Sequence, residues 1–239
     1  MPIPLSQWLE ERKAQFRDIS DREVSEVWLH RDPIRPIFHD PSLLLSPADG
    51  IVLYCGIYAE GDNIEAKGRS LSLGELLEGH WLPTVPCLVV GIFMTFWCVH
   101  ITRAPVAGPL FYRELPALKT QNLPLVFAEN ELLKDKLGRA LSSRAGYEMY
   151  NARTINRFVA ANRDVLVVQI ADQEVNVIAP FTTRQGWFYR QGERFGMVRQ
   201  GSQVCLIVPG ISIDEIGVVP LIKAGVHIEG SEPIARFTS

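Results

Sequence analysis

Hydrophobic residues near the N-terminus recur every three or four positions over much of residues 5–30, with charged residues between them. This spacing is typical of an amphipathic helix, so the pattern predicts a helical arm. The apolar positions are Leu5, Trp8, Leu9, Phe16, Ile19, Val24, Val27 and Trp28. Such a face usually packs on its own domain, and the alternative is a face that lies on a membrane with Trp8 as its interfacial anchor. Four prolines in residues 31–47 then predict an extended connector.

Beyond the connector, short apolar runs alternate with turn residues, which is typical of β-strands. The runs are residues 50–56, 88–99, 165–170, 174–178, 196–198, 204–208 and 216–221. One helix is predicted over residues 72–78, where Ser72 and Glu75 have the spacing of a capping box. A second helix is predicted within residues 129–157. Together these elements predict an α+β fold, a β-rich single domain over residues 1–239 with mostly antiparallel strands and a helical arm and connector over residues 1–45.

Residues 82–101 carry no formal charge, and their number is close to what a membrane-spanning helix requires. Pro83 and Pro86 interrupt the first part of this stretch, and Thr95 and His100 interrupt the rest. Its β-branched and aromatic residues favour strands. We therefore predict one or two buried strands here, with a transmembrane helix as the alternative.

Composition narrows the class of protein. Hydrophobic residues make up 47% of the 239 residues and charged residues 21%, which is typical of a globular chain with a large core. The net charge of −3 provides no basic excess for binding nucleic acid. Four cysteines lie in apolar stretches without a Cys-x-x-Cys pair, so we expect reduced core thiols and no metal site. The N-terminus lacks a basic start followed by an apolar segment, so the cytoplasm is the expected compartment.

Three polar sites lie in apolar or turn-rich surroundings. Asp49 lies in a turn directly before an apolar run, His100 follows the most apolar run of the chain, and Gly201–Ser202 separates two β-like runs. Taken singly, each site has a structural explanation: a turn carboxylate, a core histidine and a tight bend. A histidine at the exit of a strand can also act as a base near neutral pH. The sequence motifs of serine hydrolases, P-loops and dinucleotide-binding folds are absent.

Five sequence words change this picture when they are taken together. They are SPADG (46–50), EAKGRSLSLGELL (65–77), FMTFWCVHITRAPVAGPL (93–110), LVFAENE (125–131) and GERFGMVRQGSQVCLIVP (192–209). In this order they resemble the words of the phosphatidylserine decarboxylase family, and more narrowly those of its short bacterial and archaeal branch. One such word is weak, but five in order over residues 46–209 are specific.

The resemblance implies a carboxy-lyase that makes its own pyruvoyl cofactor. By resemblance, Ser202 attacks the carbonyl of Gly201, with His100 as the base and Asp49 as the partner of that base. Elimination and hydrolysis then leave the pyruvoyl group at residue 202. The products of cleavage, a β chain of residues 1–201 and an α chain of residues 202–239, are expected to stay associated. The implied reaction converts phosphatidylserine into phosphatidylethanolamine and CO2, with the pyruvoyl group as the electron sink.

The implied substrate also sets the expected partners. A phospholipid substrate implies peripheral contact with the membrane from the cytoplasmic side, for which the arm at residues 5–30 and a nearby apolar loop are the candidates. A homodimer is the commonest oligomer, and no nucleic-acid partner is expected.

Several positions depart from the words of the family, and they leave alternatives open. Arg103 lies where many members have a second histidine, and further departures lie at Cys98, Gln200, Gln203 and Cys205. A stretch at about residues 134–160 is interpreted as an insertion whose basic residues either contact a phosphate head group or lie on a solvated helix. One alternative is the same chemistry on another serine phospholipid or on a soluble amino acid. The other is a relative that does not cleave itself and acts as a binding module.

Overall fold

The predicted N-terminal arm is helical in the computed structural model, which describes residues 1–37, 39–59, 61–66, 69–118, 150–161, 163–171, 178–199 and 202–238. Helix α1 covers Leu5–Gln15 and helix α2 covers Asp21–Glu23. A π-helical turn, Val24–Trp28, follows directly. The arm therefore ends where the proline-containing connector begins.

The apolar face of the arm packs on the domain itself. Leu5, Leu9 and Phe16 are buried, and Trp8 is only 1% exposed. The indole of Trp8 stacks on the imidazole of His227, with ring centroids 4.6 Å apart. This confirms packing of the arm on its own domain. It also corrects the alternative in which Trp8 anchors the arm in a membrane, because the indole is already covered by protein.

Short strands dominate the described part of the chain and confirm the α+β class. In chain order they are β1 Ile3–Pro4, β2 Leu43–Leu45, β3 Gly50–Tyr58, β4 Ile64–Ala66, β5 Arg69–Leu71, β6 Cys87–Met94, β7 Ile101–Arg103, β8 Gly108–Leu115, β9 Arg153–Val159, β10 Asp164–Ala171, β11 Ile178–Pro180, β12 Trp187–Tyr189, β13 Arg194–Val198, β14 Ser202–Pro209, β15 Val218–Pro220, β16 Val226–Ile228 and β17 Pro233–Phe237.

Nine of these strands form one main antiparallel sheet in the order β1-β16-β3-β6-β14-β10-β9-β8-β12. Strands β6 and β10 near its centre are buried over almost their whole length, since both faces of the sheet are covered. Two three-stranded sheets, β11-β13-β7 and β15-β17-β2, and the hairpin β4-β5 complete the described strands. A buried hydrogen bond of 3.0 Å from Gln169 Nε2 to Thr102 Oγ1 joins β10 to β7, so the first small sheet packs on the main one.

The predicted helix at residues 72–78 is present as α3, Leu73–Leu77. The Ser72 hydroxyl accepts a hydrogen bond from the Glu75 amide, and the Glu75 carboxylate accepts one of 3.0 Å from the Ser72 amide. This is the predicted capping box, and a cap of this kind stabilises a helix by about 1 kcal/mol.

Three other predictions need correction. The connector contains strand β2, because Leu43–Leu45 pair with β17 and are buried. The run at residues 88–99 forms a strand only as far as Met94, after which the chain turns before β7. Residues 153–159 are strand β9, an inner strand of the main sheet, so the helix predicted within 129–157 does not extend over residues 153–157, and basic residues there lie on a strand and not on a helix.

Some predicted features lie outside the described residues. These are positions 129–149 of the second helix and positions 174–177 of one predicted strand. For residues 82–101, strand β6 confirms the prediction of a buried strand. Among the residues that the structure describes, no helix combines the length and hydrophobicity needed to cross a bilayer.

Candidate active site

All three sites that the sequence singled out lie at the same end of three inner strands of the main sheet. Asp49 directly precedes β3, and His100 lies in the segment that follows β6. Ser202 is the first residue of β14, where its backbone pairs with Met94 at the end of β6. Because β3, β6 and β14 are neighbouring antiparallel strands, residues that are 50 to 150 positions apart in sequence meet at this end.

The His100 ring contacts one segment that precedes the junction Gly201–Ser202 and one that follows β6. Its Nδ1 is 3.0 Å from the carbonyl oxygen of Val198, the last residue of β13. Its Nε2 is 3.0 Å from the carbonyl oxygen of Thr95, the residue after Met94, which is the backbone partner of Ser202. These contacts place the imidazole near the end of the main sheet at which β14 begins.

The His100 ring is fully buried, and burial lowers its pKa to about 4. Burial disfavours the charged imidazolium, and the hydrogen bonds to the carbonyls of Thr95 and Val198 oppose this shift without cancelling it. The ring is therefore neutral at pH 7. A neutral imidazole donates through one nitrogen only, so one of the two carbonyls receives a hydrogen bond and the nitrogen that faces the other carbonyl keeps its lone pair.

The Asp49 carboxylate is buried and held by groups other than the His100 ring. Its Oδ2 accepts a hydrogen bond of 2.8 Å from Arg35, and its Oδ1 accepts one of 2.7 Å from the backbone amide of Gly230. Oδ2 also accepts a long hydrogen bond of 3.4 Å from the amide of Val99, the residue before His100. The structure thus brings Asp49 to the backbone beside His100, while both ring nitrogens of His100 contact carbonyl oxygens instead.

The connector after the arm lies against this site. The His100 amide donates a hydrogen bond of 3.0 Å to the carbonyl of Leu29. Asp32 accepts a hydrogen bond of 3.0 Å from Arg103 and forms a second ion pair with Arg194. Arg103, where many family members have a second histidine, therefore anchors the connector.

The profile of phosphatidylserine decarboxylases matches residues 27–236 of this sequence, which is most of its length. The chain belongs to the phosphatidylserine decarboxylase family. This membership confirms the family that the five sequence words indicated, and with it the expectation of a decarboxylase.

Relatives within the phosphatidylserine decarboxylase family have proenzyme names. A protein of Methanocaldococcus jannaschii, named as an archaetidylserine decarboxylase proenzyme, is 30% identical over 190 residues, which cover 77% of this chain and 78% of that protein. A phosphatidylserine decarboxylase proenzyme of Paramagnetospirillum magneticum is 28% identical over 211 residues, 87% of this chain and 70% of the relative. One of Escherichia coli is 34% identical over 135 residues, which cover 50% of this chain and 42% of the relative.

Decarboxylases of this family are generally pyruvoyl-dependent, and the surroundings of residue 202 fit such a group. The backbone of Ser202 pairs with Ala171 as well as with Met94. Ala171 belongs to a small buried apolar cluster with Ala152 and Val198. The backbone of residue 202 is therefore paired with two buried apolar residues, and Val198 of the neighbouring cluster contacts the His100 ring.

Gln203 and Cys205, which both depart from the words of the phosphatidylserine decarboxylase family, contact each other inside the sheet. Gln203 donates hydrogen bonds of 3.0 Å to the Tyr54 hydroxyl and 3.2 Å to Cys205 Sγ. The Tyr54 hydroxyl also lies 3.0 Å from Cys205 Sγ. Gly91 leaves room for the Tyr54 ring, because a Cβ at this position would overlap it. The unusual Gln203 and Cys205 thus satisfy each other in the core directly after Ser202.

Sequence reasoning missed the residues that hold Asp49. Arg35 lies in a proline-containing connector, and Gly230 lies in a C-terminal turn far away in sequence. Gly230 approaches Asp49 because β16 pairs with β3, and Arg35 approaches it because the connector crosses the same end of these strands. The five words of the decarboxylase family contain neither residue, and no local pattern linked either of them to Asp49.

Arg35→Gln is expected to destabilise the folded chain by about 3 kcal/mol near pH 7, because it leaves the buried Asp49 carboxylate without its cation. Burial raises the pKa of Asp49 above its ordinary value of 3.8, and Arg35 opposes that rise. The folded state therefore binds more protons than the unfolded state, and stability falls as the pH rises above 3.8. Without Arg35 the stability falls more with rising pH. The stability lost through Arg35→Gln is therefore smaller near pH 4 than near pH 7.

Urea unfolding at both pH values measures this difference, with Ser202→Ala in every variant so that the chain stays single. Arg22→Gln is the matched control, since Arg22 pairs with Glu26 on the surface with their side chains 84% and 58% exposed. Such surface pairs contribute about 0.5 kcal/mol or less. An Arg35→Gln loss that is the same at both pH values, or no larger than that of Arg22→Gln, would contradict the prediction.

Proposed function

We propose that this chain is a self-processing pyruvoyl decarboxylase that converts phosphatidylserine into phosphatidylethanolamine and CO2. The observation that carries the proposal is the buried His100 ring, which contacts the carbonyl of Val198, three residues before Gly201, and the carbonyl of Thr95, next to the strand partner of Ser202. Membership of the family and the proenzyme names of the relatives support the same reaction. Because this substrate lies in a bilayer, peripheral contact with a membrane surface is part of the proposal.

In the proposed self-cleavage, His100 accepts the proton of the Ser202 hydroxyl as that oxygen attacks the carbonyl carbon of Gly201. The amide between the two residues becomes an ester through the serine oxygen. Elimination breaks the Cβ–O bond of residue 202 and releases the Gly201 carboxylate. Hydrolysis of the dehydroalanine that remains releases ammonia and leaves the pyruvoyl group. The neutral state of His100 is consistent with this role, since a general base must be unprotonated before the reaction and a ring with a pKa of about 4 is unprotonated at pH 7.

We assign Asp49 a positioning role in this reaction. Its carboxylate contacts the amide of Val99 and so supports the backbone from which the His100 ring projects. Arg35 and the amide of Gly230 hold the carboxylate in turn. This differs from direct pairing of a carboxylate with the ring, and it makes the connector part of the machinery.

The two products of cleavage are proposed to stay together as one enzyme. Strand β14 begins at the cleavage point and lies between β6 and β10 in the middle of the main sheet. Eight residue pairs join β14 to β6 and six join it to β10. Chains 1–201 and 202–239 would therefore share one buried core. The pyruvoyl group supplies the electron sink for the carbon that loses CO2. His100 is the proposed source of the proton that this carbon takes up in place of CO2.

Release of CO2 from defined substrates tests the proposal. The purified protein is incubated with phosphatidylserine, with an ether-linked archaetidylserine and with free serine, and Ser202→Ala is the control. We expect CO2 from one or both serine lipids and none from free serine or from the variant. Archaetidylserine is included because the relative from M. jannaschii is named for that substrate. Release from free serine but from neither lipid would contradict the proposed substrate class.

A further inference from the structure

An exposed aromatic surface lies at the outer edge of the main sheet, away from the arm. In the described ranges, the exposed phenylalanine, tryptophan and tyrosine side chains are confined to four residues, which we call the aromatic edge. These are Phe111, Phe181, Trp187 and Phe188, with exposed fractions of 38%, 48%, 43% and 59%. Soluble proteins rarely gather their exposed aromatic residues in one place, and such a patch marks an interaction surface.

The register of the outer strands places two rings of the aromatic edge on one face. Strand β12 is the outermost strand of the main sheet, and its Phe188 pairs with Pro109 on β8. Paired residues share a face, and so do residues two apart on one strand, so Phe188, Pro109 and Phe111 lie on the same face. Trp187 pairs with Leu110 and therefore lies on the opposite face of this outermost strand, so the edge exposes a ring on each side. The amide of Gly186 donates a hydrogen bond of 2.8 Å to the carbonyl of Leu110, which brings the turn before β12 against Phe111.

The charge around the aromatic edge is positive, although the whole chain has a net charge of −3. Arg113, Arg184 and Arg190 are exposed on β8 and on the segment of residues 181–190, where Glu114 is the exposed carboxylate. The Arg184 guanidinium lies 5.5 Å from the centroid of the Trp187 ring. Aromatic side chains flanked by arginines fit the interface of a bilayer that contains anionic lipids.

We propose that the aromatic edge docks the enzyme on an anionic phospholipid surface. The choice of a lipid partner rests on the proposed function, whose substrate lies in such a surface. A second copy of the chain is a poorer occupant, because a two-fold axis would place the same arginines against one another. Helix α1 of the arm does not compete for this role, since its apolar residues Leu5, Trp8 and Leu9 are buried in the domain.

One residue of the aromatic edge, Phe181, lies close to the site along the chain. The amide of Phe181 donates a hydrogen bond of 3.0 Å to the carbonyl of Phe195 near the start of β13. Val198, whose carbonyl contacts His100, ends the same strand three residues later. Three residues of extended chain span roughly 10 Å, so strand β13 links this part of the aromatic edge to the residue that contacts His100.

Sedimentation with vesicles tests the docking surface. Vesicles of phosphatidylcholine are compared with vesicles that also contain phosphatidylglycerol, an anionic lipid without the serine head group. The double variant Trp187→Ser, Phe188→Ser is expected to bind the anionic vesicles about tenfold more weakly than the wild type. Its matched control is Ile213→Ser, Leu221→Ser, which removes two equally exposed apolar side chains elsewhere and is expected to bind normally.

The charge is tested separately. Arg113→Gln, Arg184→Gln is expected to weaken binding to anionic vesicles only, and Lys13→Gln, Arg17→Gln on the arm is the matched control. Binding of the wild type is expected to weaken as salt rises from about 0.1 M to about 1 M, where the screening length falls from about 10 Å to about 3 Å. Unchanged binding of both edge variants would overturn the proposal. So would a wild-type dimer that the aromatic variant converts into a monomer, because a second copy would then cover the edge.

An assay in detergent micelles separates this inference from the proposed function. The aromatic variant is expected to release CO2 from short-chain phosphatidylserine in micelles as fast as the wild type, and more slowly from vesicles. If the wild type binds vesicles through the edge but releases no CO2 in micelles, the proposed function fails and the docking surface stands. If CO2 is released and binding does not depend on the edge, the docking surface fails alone.

Discussion

Replacing Ser202 by alanine is expected to leave one intact chain of 239 residues where the wild type forms two chains, 1–201 and 202–239. Alanine has no hydroxyl oxygen to attack the Gly201 carbonyl, so neither the ester nor the pyruvoyl group can form. Decarboxylase activity should fall to background, a loss of at least about 10⁶-fold. Intact-mass spectrometry of freshly purified protein measures the cleavage, and CO2 release measures the activity.

Ser212→Ala is the matched control for this variant. Ser212 is an exposed loop serine on the same side of the predicted cleavage, and its replacement should leave both cleavage and activity unchanged. Ser202→Ala is also expected to fold, because the backbone pairing of residue 202 with Ala171 does not need the serine hydroxyl. A wild-type chain that stays whole for days at neutral pH would contradict the proposal and favour the binding-module alternative.

The second large effect is expected for His100→Gln, which should slow self-cleavage by about 10²–10⁴-fold. Glutamine can still donate to one of the carbonyls of Val198 and Thr95, but it cannot accept a proton from the Ser202 hydroxyl. The variant should therefore accumulate as folded precursor. The rate of cleavage after synthesis, followed by gel electrophoresis or mass spectrometry, is the measurement.

His227→Gln is the control that separates chemistry from packing. His227 is also buried, and burial lowers its pKa to about 3, but its ring stacks on Trp8 in the arm rather than lying beside the junction. We expect this variant to lose stability and to cleave itself at nearly the wild-type rate. Slow cleavage in His227→Gln and fast cleavage in His100→Gln would reverse the assignment.

The pH dependence of the wild-type cleavage gives an independent check on His100. Burial lowers the pKa of the ring to about 4, so the neutral base is present throughout pH 5–8 and the rate should be flat there. Below pH 4 the ring takes up a proton and the rate should fall about tenfold for each further pH unit. An ordinary histidine would titrate near pH 6.5, so a rate that already falls between pH 7 and pH 5.5 would contradict a buried neutral base.

The sequence by itself determined much that depends on neighbouring residues. Ser72 and Glu75 predicted the capping box, because a cap involves residues only three apart. Apolar runs bounded by turn residues predicted the long inner strands β3, β6, β10 and β14 of the main sheet, since strand formation follows the local pattern of side chains. The five words predicted the family and singled out Asp49, His100 and Ser202, because words of this kind are read residue by residue along the chain.

Only the tertiary structure decided which groups meet across the sheet. The order of strands in the main sheet brings Arg35 to Asp49. It also places the His100 ring between the carbonyls of Val198 and Thr95. The same holds for Trp8, whose apolar character fits a membrane or a protein core equally well until its neighbours are known. Pairing of β12 with β8 likewise decided that Phe111 and Phe188 share one exposed face of the outer strands. Such contacts join residues that are distant along the chain, and a local pattern carries no information about their distance in space.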